Sequence, residues 1–275
     1  MKSELLDSLY QKYNISNLNF GAIHDKLGDV YEEYCTSILN DPKHLEIAKN
    51  GVFDNSTDHQ VFLQLLHVYK IDDFSQIESI EATTKVPHRD TRGLSKTDII
   101  FTIKNIDQTE TKFAVSCKQS TVPKVAVAEF DVDTICKEVG INDDRLKALL
   151  LKHQTDKSAK NFTAAEKIEL KNLLAPIARE FVRWVITGNP TPAPENLAFP
   201  TSIIKFKVKK PLDKSNINID NGDFSLMSFS AYSIEDYVDS IMYTPNGNLR
   251  AGGFGTGLSW TYATGSGGFK IQFKA

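Results

Sequence analysis

Cysteine is scarce in this 275-residue chain: only Cys35, Cys117 and Cys136 occur, an odd count without Cys-x-x-Cys spacing. A disulfide scaffold and a cysteine-rich zinc site are therefore excluded, and a reducing, cytoplasmic setting is expected. No apolar run approaches the ~20 residues that span a bilayer. The start, Met1-Lys2-Ser3-Glu4, lacks the basic-then-apolar pattern of a secretory signal. The six histidines form no His-Glu-x-x-His motif, and there is no Gly-x-Ser-x-Gly elbow. Gly253-Phe254-Gly255-Thr256-Gly257 lacks both the P-loop lysine and a strand-before, helix-after context, so a nucleotide loop is set aside.

Composition is that of a globular chain, with 41% hydrophobic and 24% charged residues and a formal net charge of −3. The charge is uneven. Residues 1–75 hold six Lys/Arg against twelve Asp/Glu, whereas residues 84–124 hold eight against four. After Asp239 there are three Lys/Arg and no acid. Local basic stretches of this kind serve a nucleic-acid partner or merely a solvated face.

Apolar spacing predicts helices over residues 1–50, with Leu5, Leu6, Leu9, Tyr10 and Tyr13 on one face and Leu27, Val30, Tyr31, Tyr34 and Ile38 on another. A short helix is expected at 60–70. Residues 128–188 read as helical, with a capping box at Thr163-Ala164-Ala165-Glu166, a break at Pro176 and a stop at Gly188. Residues 97–103 and 112–118 alternate with period 2 around a polar turn, a hairpin. Four of the ten prolines fall in 189–200, a semi-rigid connection. Ser202–Lys209 alternates Ile204, Phe206 and Val208 with Lys205, Lys207 and Lys209, a half-buried strand. Eight of the fifteen glycines lie in 245–268, and a strand is expected at Phe269–Lys274.

If the hairpin turns at Gln108, Asp98 lies opposite Lys118, with Ser116 on the same face. A carboxylate that can bind a divalent cation beside an ammonium that can position water suits phosphodiester cleavage. Such pairs are also ordinary surface salt bridges. Glu32 or Glu33, bordering the apolar strip of its helix, is placed to supply a second acid, or is a solvated acidic turn. In the last strand Phe269, Ile271 and Phe273 point to one side and Lys270, Gln272 and Lys274 to the other. Lys and Gln suit guanine and adenine edges, or simply meet phosphate or water.

Three blocks carry a resemblance: Leu27-Gly28-Asp29-Val30-Tyr31-Glu32-Glu33-Tyr34; Ala128–Cys136 continuing through Lys152-His153-Gln154 and Ser158-Ala159-Lys160 to Arg183-Trp184; and Gly253–Ala263 with Gln272-Phe273-Lys274. They are similar to the MspI-type restriction endonuclease family over most of the chain, and residues 210–250 depart from it. The resemblance implies a mixed α+β PD-(D/E)XK core, a central mixed sheet flanked by helices, in a single endonuclease domain over 1–275. Within it, 1–75 is the helical N-terminal part, 84–188 the catalytic hairpin and helices, and 201–275 the DNA-recognition part. It further implies Mg²⁺-dependent cutting of double-stranded DNA at CCGG, alongside a cognate DNA methyltransferase. By resemblance Asp98 binds metal together with the Cys117 carbonyl, Lys118 is the motif lysine, and Glu32 is the helix glutamate. Thr261, Thr264 and Lys274 are DNA contacts, as is Lys124 in the loop Ser120–Ala126. Ser116 stands where the superfamily carries an acid and the MspI pattern an asparagine. That departure is the feature to cite for a DNA-binding protein that has lost cleavage; a repair or RNA nuclease of the same fold is a further alternative.

Overall fold

The computed structural model describes residues 1–88, 95–262 and 269–275. The helices are α1 (Glu4–Lys12), α2 (Phe20–Asn40), α3 (Pro42–Lys49), α4 (Thr57–His67), α5 (Val132–Val139), α6 (Asp144–Asp156), α7 (Ala164–Leu174), α8 (Ala178–Thr187) and α9 (Ile234–Met242). The strands are β1 (Ile77–Thr83), β2 (Ile99–Asn105), β3 (Glu110–Ser120), β4 (Ala126–Phe130), β5 (Ser202–Val208), β6 (Leu226–Ser233), β7 (Ser259–Tyr262) and β8 (Ile271–Lys274). Among the described residues no helix is long and apolar enough to cross a membrane. The chain divides into two compact units, Met1–Pro123 with Pro194–Ser233, and Lys124–Ala193 with Ile234–Ala275. Residues 84–188 and 201–275 are thus each shared between both units.

In the first unit the strands run in the order β1-β2-β3-β5-β6. Only β3 and β5 are parallel; their neighbours pair antiparallel, so the central sheet is mixed. Helix α2 supplies the main cover. Asn19 caps its start by accepting from the Ala22 N–H, and Ile23, Leu27, Val30, Tyr31, Tyr34 and Ile38 form its buried strip at three- and four-residue spacing. Tyr31 stacks on Phe206 of β5 with ring centroids 4.6 Å apart. Ile99, Phe101, Val115, Cys117, Ile204 and Phe206 belong to the same core. The even-numbered residues of β2 and β3 therefore face the other side, and Asp98, preceding β2, joins them.

The second unit holds a three-stranded antiparallel sheet, β4-β8-β7, with β8 in the middle. One face packs into an aromatic core in which Phe181 stacks on Trp260 and Phe273 meets Trp260 edge-on. Arg183, only 8% exposed, donates to both carboxylate oxygens of Glu235 and ties α8 to α9. Thr163 and Glu166 close the capping box of α7. Pro176 breaks the helix through a 3-10 turn, and Gly188 ends α8 in the left-handed region at φ 78°. Gly257, at φ +74°, is required: a Cβ there would sit 1.9 Å from the Ile241 carbonyl oxygen.

Several sequence expectations shift. Residues 128–130, expected as the start of a helix, belong to strand β4. A bulge between Ala126 and Ala128 and two alanines hide the alternation. Strand β7 emerges inside the glycine-rich stretch. The last strand starts at Ile271 rather than Phe269, whose ring is 75% exposed and carries the Lys157 ammonium 5.4 Å from its centroid. Ile271 and Phe273 alone anchor that strand.

Candidate active site

The β2–β3 hairpin sets the geometry. Its register pairs Ile99 with Val115 and Lys104 with Glu110, which centres the turn on Asp107 rather than Gln108. The loop is Ile106-Asp107-Gln108, closed by the Asn105 N–H on the Thr109 carbonyl at 2.9 Å, with Gln108 left-handed at φ 67°. Three-residue loops end in such a residue, which is why the centre moves by one position. Pairing shifts by two, so every side chain keeps its face: Asp98 lies across from Ser116, and Lys118 is the next residue on that side.

Three donors converge on one carboxylate oxygen. Asp98 Oδ2 accepts from the Ser116 hydroxyl at 3.0 Å, the Cys117 backbone N–H at 2.7 Å and the Lys118 ammonium at 2.7 Å. Lys118 also donates to the Cys117 carbonyl at 2.9 Å. The Asp98 backbone N–H reaches the Val115 carbonyl at 2.9 Å, which fixes the residue just before the start of β2. Among the described residues every donor to the Asp98 side chain falls on Oδ2. Ser116 is 1% exposed and spends its hydroxyl on orienting Asp98.

The two helix glutamates separate. Glu33 turns away to Lys12 and to the Tyr13 hydroxyl, 2.8 Å distant. Glu32 senses the hairpin. Burial first, then the negative charge of Asp98, raises its carboxyl from 4.5 to about 7, with Lys118 pulling in the opposite direction. The sequence could not choose between the two; Lys12 of α1 and the adjoining Tyr13 engage Glu33, while Glu32 is left beside Asp98.

Among the described residues no cluster of three or more His, Cys, Asp or Glu side chains could hold a metal. Two carboxylates and a backbone carbonyl remain, an all-oxygen set that fits a hard cation completing its shell with water and phosphate.

In the second unit, Ser259 pairs with Lys274 and Thr261 with Gln272, so the four share the polar face of the sheet. Thr261 donates to the Gln272 side-chain oxygen at 3.2 Å. Glu129 of β4, which sequence reading passed over, pairs with Gln272 on this face. Lys124 donates to the Gly257 carbonyl at 3.1 Å and to the Ser259 hydroxyl at 3.0 Å. Thr264 lies outside the described residues. Behind the face, Tyr262 donates to the His153 carbonyl at 2.7 Å and accepts from its Nδ1–H, also at 2.7 Å. Burial lowers that imidazole to about 4, so it stays neutral and holds β7 in place.

Comparison with known proteins gives a consistent picture. The family model described as restriction endonuclease MspI matches residues 11–275. The type II restriction enzyme MspI of Moraxella sp is 35% identical over 279 residues, covering all of both chains. The type II restriction enzyme BsuFI of Bacillus subtilis is 23% identical, over 99% of this chain and 64% of that enzyme. The crystal structure of MspI with its cognate DNA superposes with a TM-score of 0.85 at 33% identity over the full length of both chains. With the fold, the hairpin centre and these matches in agreement, the chain belongs to the MspI restriction endonuclease family.

Proposed function

We propose that this type II restriction endonuclease cuts double-stranded DNA at CCGG with Mg²⁺, using Asp98 and Lys118 of the β2–β3 hairpin. The convergence of Ser116, Cys117 and Lys118 on a single Asp98 oxygen carries this reading. Restriction endonucleases generally use a divalent metal. Here Asp98, the Cys117 carbonyl and Glu32 would hold Mg²⁺. Once bound, the ion supplies charge stabilisation at the scissile phosphate and acidifies water. Lys118 has three N–H donors, two of them committed to Asp98 and Cys117, and the third orients the attacking water. Ser116 holds Asp98 in place.

The polar face built from Lys124, Thr261 and Lys274 reads the DNA sequence; Thr264, outside the described residues, is proposed as a further DNA contact on the family resemblance alone. Hydrogen bonds to base edges give discrimination, whereas contacts to phosphate only add affinity. The chain works as one endonuclease over residues 1–275, in the cytoplasm, beside a cognate methyltransferase that protects the host's own sites.

The test is incubation with a mapped plasmid and Mg²⁺, followed by sequencing of the cut ends. Wild type should cut at CCGG, while folded Asp98→Ala and Lys118→Ala should not cut. Each loses several kcal/mol of barrier lowering, at 1.36 kcal/mol per tenfold in rate. Near wild-type cleavage by either variant would overturn the assignment. Sequence-specific binding by a wild type that fails to cut would point instead to a protein that has lost cleavage.

A further inference from the structure

The polar face of the β4-β8-β7 sheet sets one carboxylate among donors. One row across it runs Glu129, Gln272, Thr261, and the next holds Lys274 and Ser259. Within the three strands Glu129 is the only acid. Cβ atoms of directly paired residues stand about 5 Å apart, so the Glu129 carboxylate and the Gln272 amide are immediate neighbours. The Thr261 hydroxyl donates to the Gln272 side-chain oxygen at 3.2 Å, which leaves the Gln272 amino group for another acceptor. Among the described residues no donor engages the Glu129 carboxylate, and no acceptor engages the Gln272 amino group or the Lys274 ammonium. All three side chains are half-buried. Because β4 is an edge strand, the acceptor stands at the end of the row rather than between donors.

A carboxylate does not suit a surface that only grips DNA. It repels phosphate, and once DNA covers it, it must find a donor or lose its solvation uncompensated. Base edges offer donors. A C·G pair shows the major groove one donor, cytosine N4–H₂, beside two acceptors, guanine O6 and N7. An A·T pair sets its donor, adenine N6–H₂, between two acceptors. One acceptor with the donors Gln272 and Lys274 on a single side of it matches the C·G order. We propose that Glu129 is a specificity-determining residue that accepts from the N4 amino group of one cytosine in the recognition site. This rests on the proposed role of this face in reading DNA. A thymine at that position brings O4, an acceptor, against the carboxylate, so Glu129 rejects the wrong pair as well as favouring the right one.

The simpler explanation is that Glu129 is a charge that keeps the edge of β4 from pairing with other chains. The two accounts predict opposite signs. Removing a charge that merely repels phosphate strengthens binding to every duplex alike. Removing a base-reading carboxylate weakens binding to the cognate duplex. Wild type and Glu129→Ala are compared in a metal chelator at fixed salt, on a duplex carrying the mapped cut site and on its single-base-pair variants. A further set replaces each cytosine in turn with 2-pyrimidinone, which lacks the N4 amino group. Glu129→Ala should bind the cognate duplex about tenfold more weakly than wild type and lose discrimination at one C·G pair. 2-Pyrimidinone at that cytosine should weaken wild type about tenfold and leave Glu129→Ala unchanged. Tighter binding of Glu129→Ala to every duplex, or equal sensitivity of both proteins to 2-pyrimidinone at every cytosine, would overturn the proposal. Should Glu129→Ala fail to fold, Glu129→Val, a residue suited to strands, answers the same question. Lys274→Ala, run alongside, separates the two readings. If neither variant changes discrimination, the face does not read DNA and both readings fall. If Lys274→Ala alone loses discrimination, only the role of Glu129 falls.

Discussion

Glu32→Gln should make the protein more stable and less active at once. In the folded chain the Glu32 carboxyl keeps its proton to about pH 7, against 4.5 for the ordinary group. Between those values the folded state binds more protons than the unfolded state, so this residue makes stability fall as pH rises through the window. The full displacement corresponds to ~3 kcal/mol. Solvent screening of the partly exposed side chain reduces that to ~1 kcal/mol. Glutamine removes the negative charge and with it the slope. In urea titrations with chelator, the variant should gain ~1 kcal/mol relative to wild type between pH 5 and pH 8, or about 2–4 °C in Tm. Adding Mg²⁺ should narrow the gap at pH 8, because only the wild-type carboxylate takes part in holding it. Cleavage by the variant should meanwhile drop. A stability difference that stays constant from pH 5 to pH 8 would refute the reasoning, since neither burial nor Asp98 would then be raising the Glu32 carboxyl.

Ser116→Asp should change the Mg²⁺ concentration needed for cleavage more than it changes DNA affinity, because a hard oxygen ligand is added beside Asp98; superimposable Mg²⁺ titrations would mean that position 116 does not affect the metal. Lys274→Ala should weaken binding to a CCGG duplex by ~1–3 kcal/mol more than binding to a scrambled one at equal salt, and Thr261→Ala by less. An equal loss on both duplexes would make Lys274 a phosphate contact. Gly257→Ala should destabilise the second unit severely, as seen by proteolysis or thermal melting, because its Cβ would collide with the Ile241 carbonyl.

The hairpin was legible because alternation survives a small error in register: Asp98 and Lys118 share a face whether the turn centres on 107 or 108. The capping box and the Pro176 break were equally local signals. Strand β1 was not legible. A bulge between Ile77 and Ser79 spoils its alternation, and its exposed positions carry Glu78 and Glu81. Strand β6 is missed for a related reason: Met227 and Ser228 are exposed and Phe229-Ser230-Ala231 only half-buried, at the edge of the sheet. Lys205 looked like the solvent side of an amphipathic strand. Its register partner Lys118 lies far back in the chain, and no local pattern reveals which strand a parallel partner will choose.

That parallel pair also sets a timetable. On the ribosome β1, β2 and β3 emerge together, but the strand that covers the other side of β3 follows only after roughly 80 more residues, about 4–16 s at 5–20 residues per second. During that interval the segment bearing Lys118 is an open sheet edge, the kind of surface that recruits stray strands from other chains. Synthesis stalled before Ser202 should therefore leave nascent chains that are protease-sensitive and prone to aggregate, and stalling after Val208 has cleared the exit tunnel should protect them. Equal protease resistance at both stall points would show that the first three strands shelter their own edge. Cleavage competence arrives late in translation, because the sheet that holds the hairpin is completed from a distant part of the message.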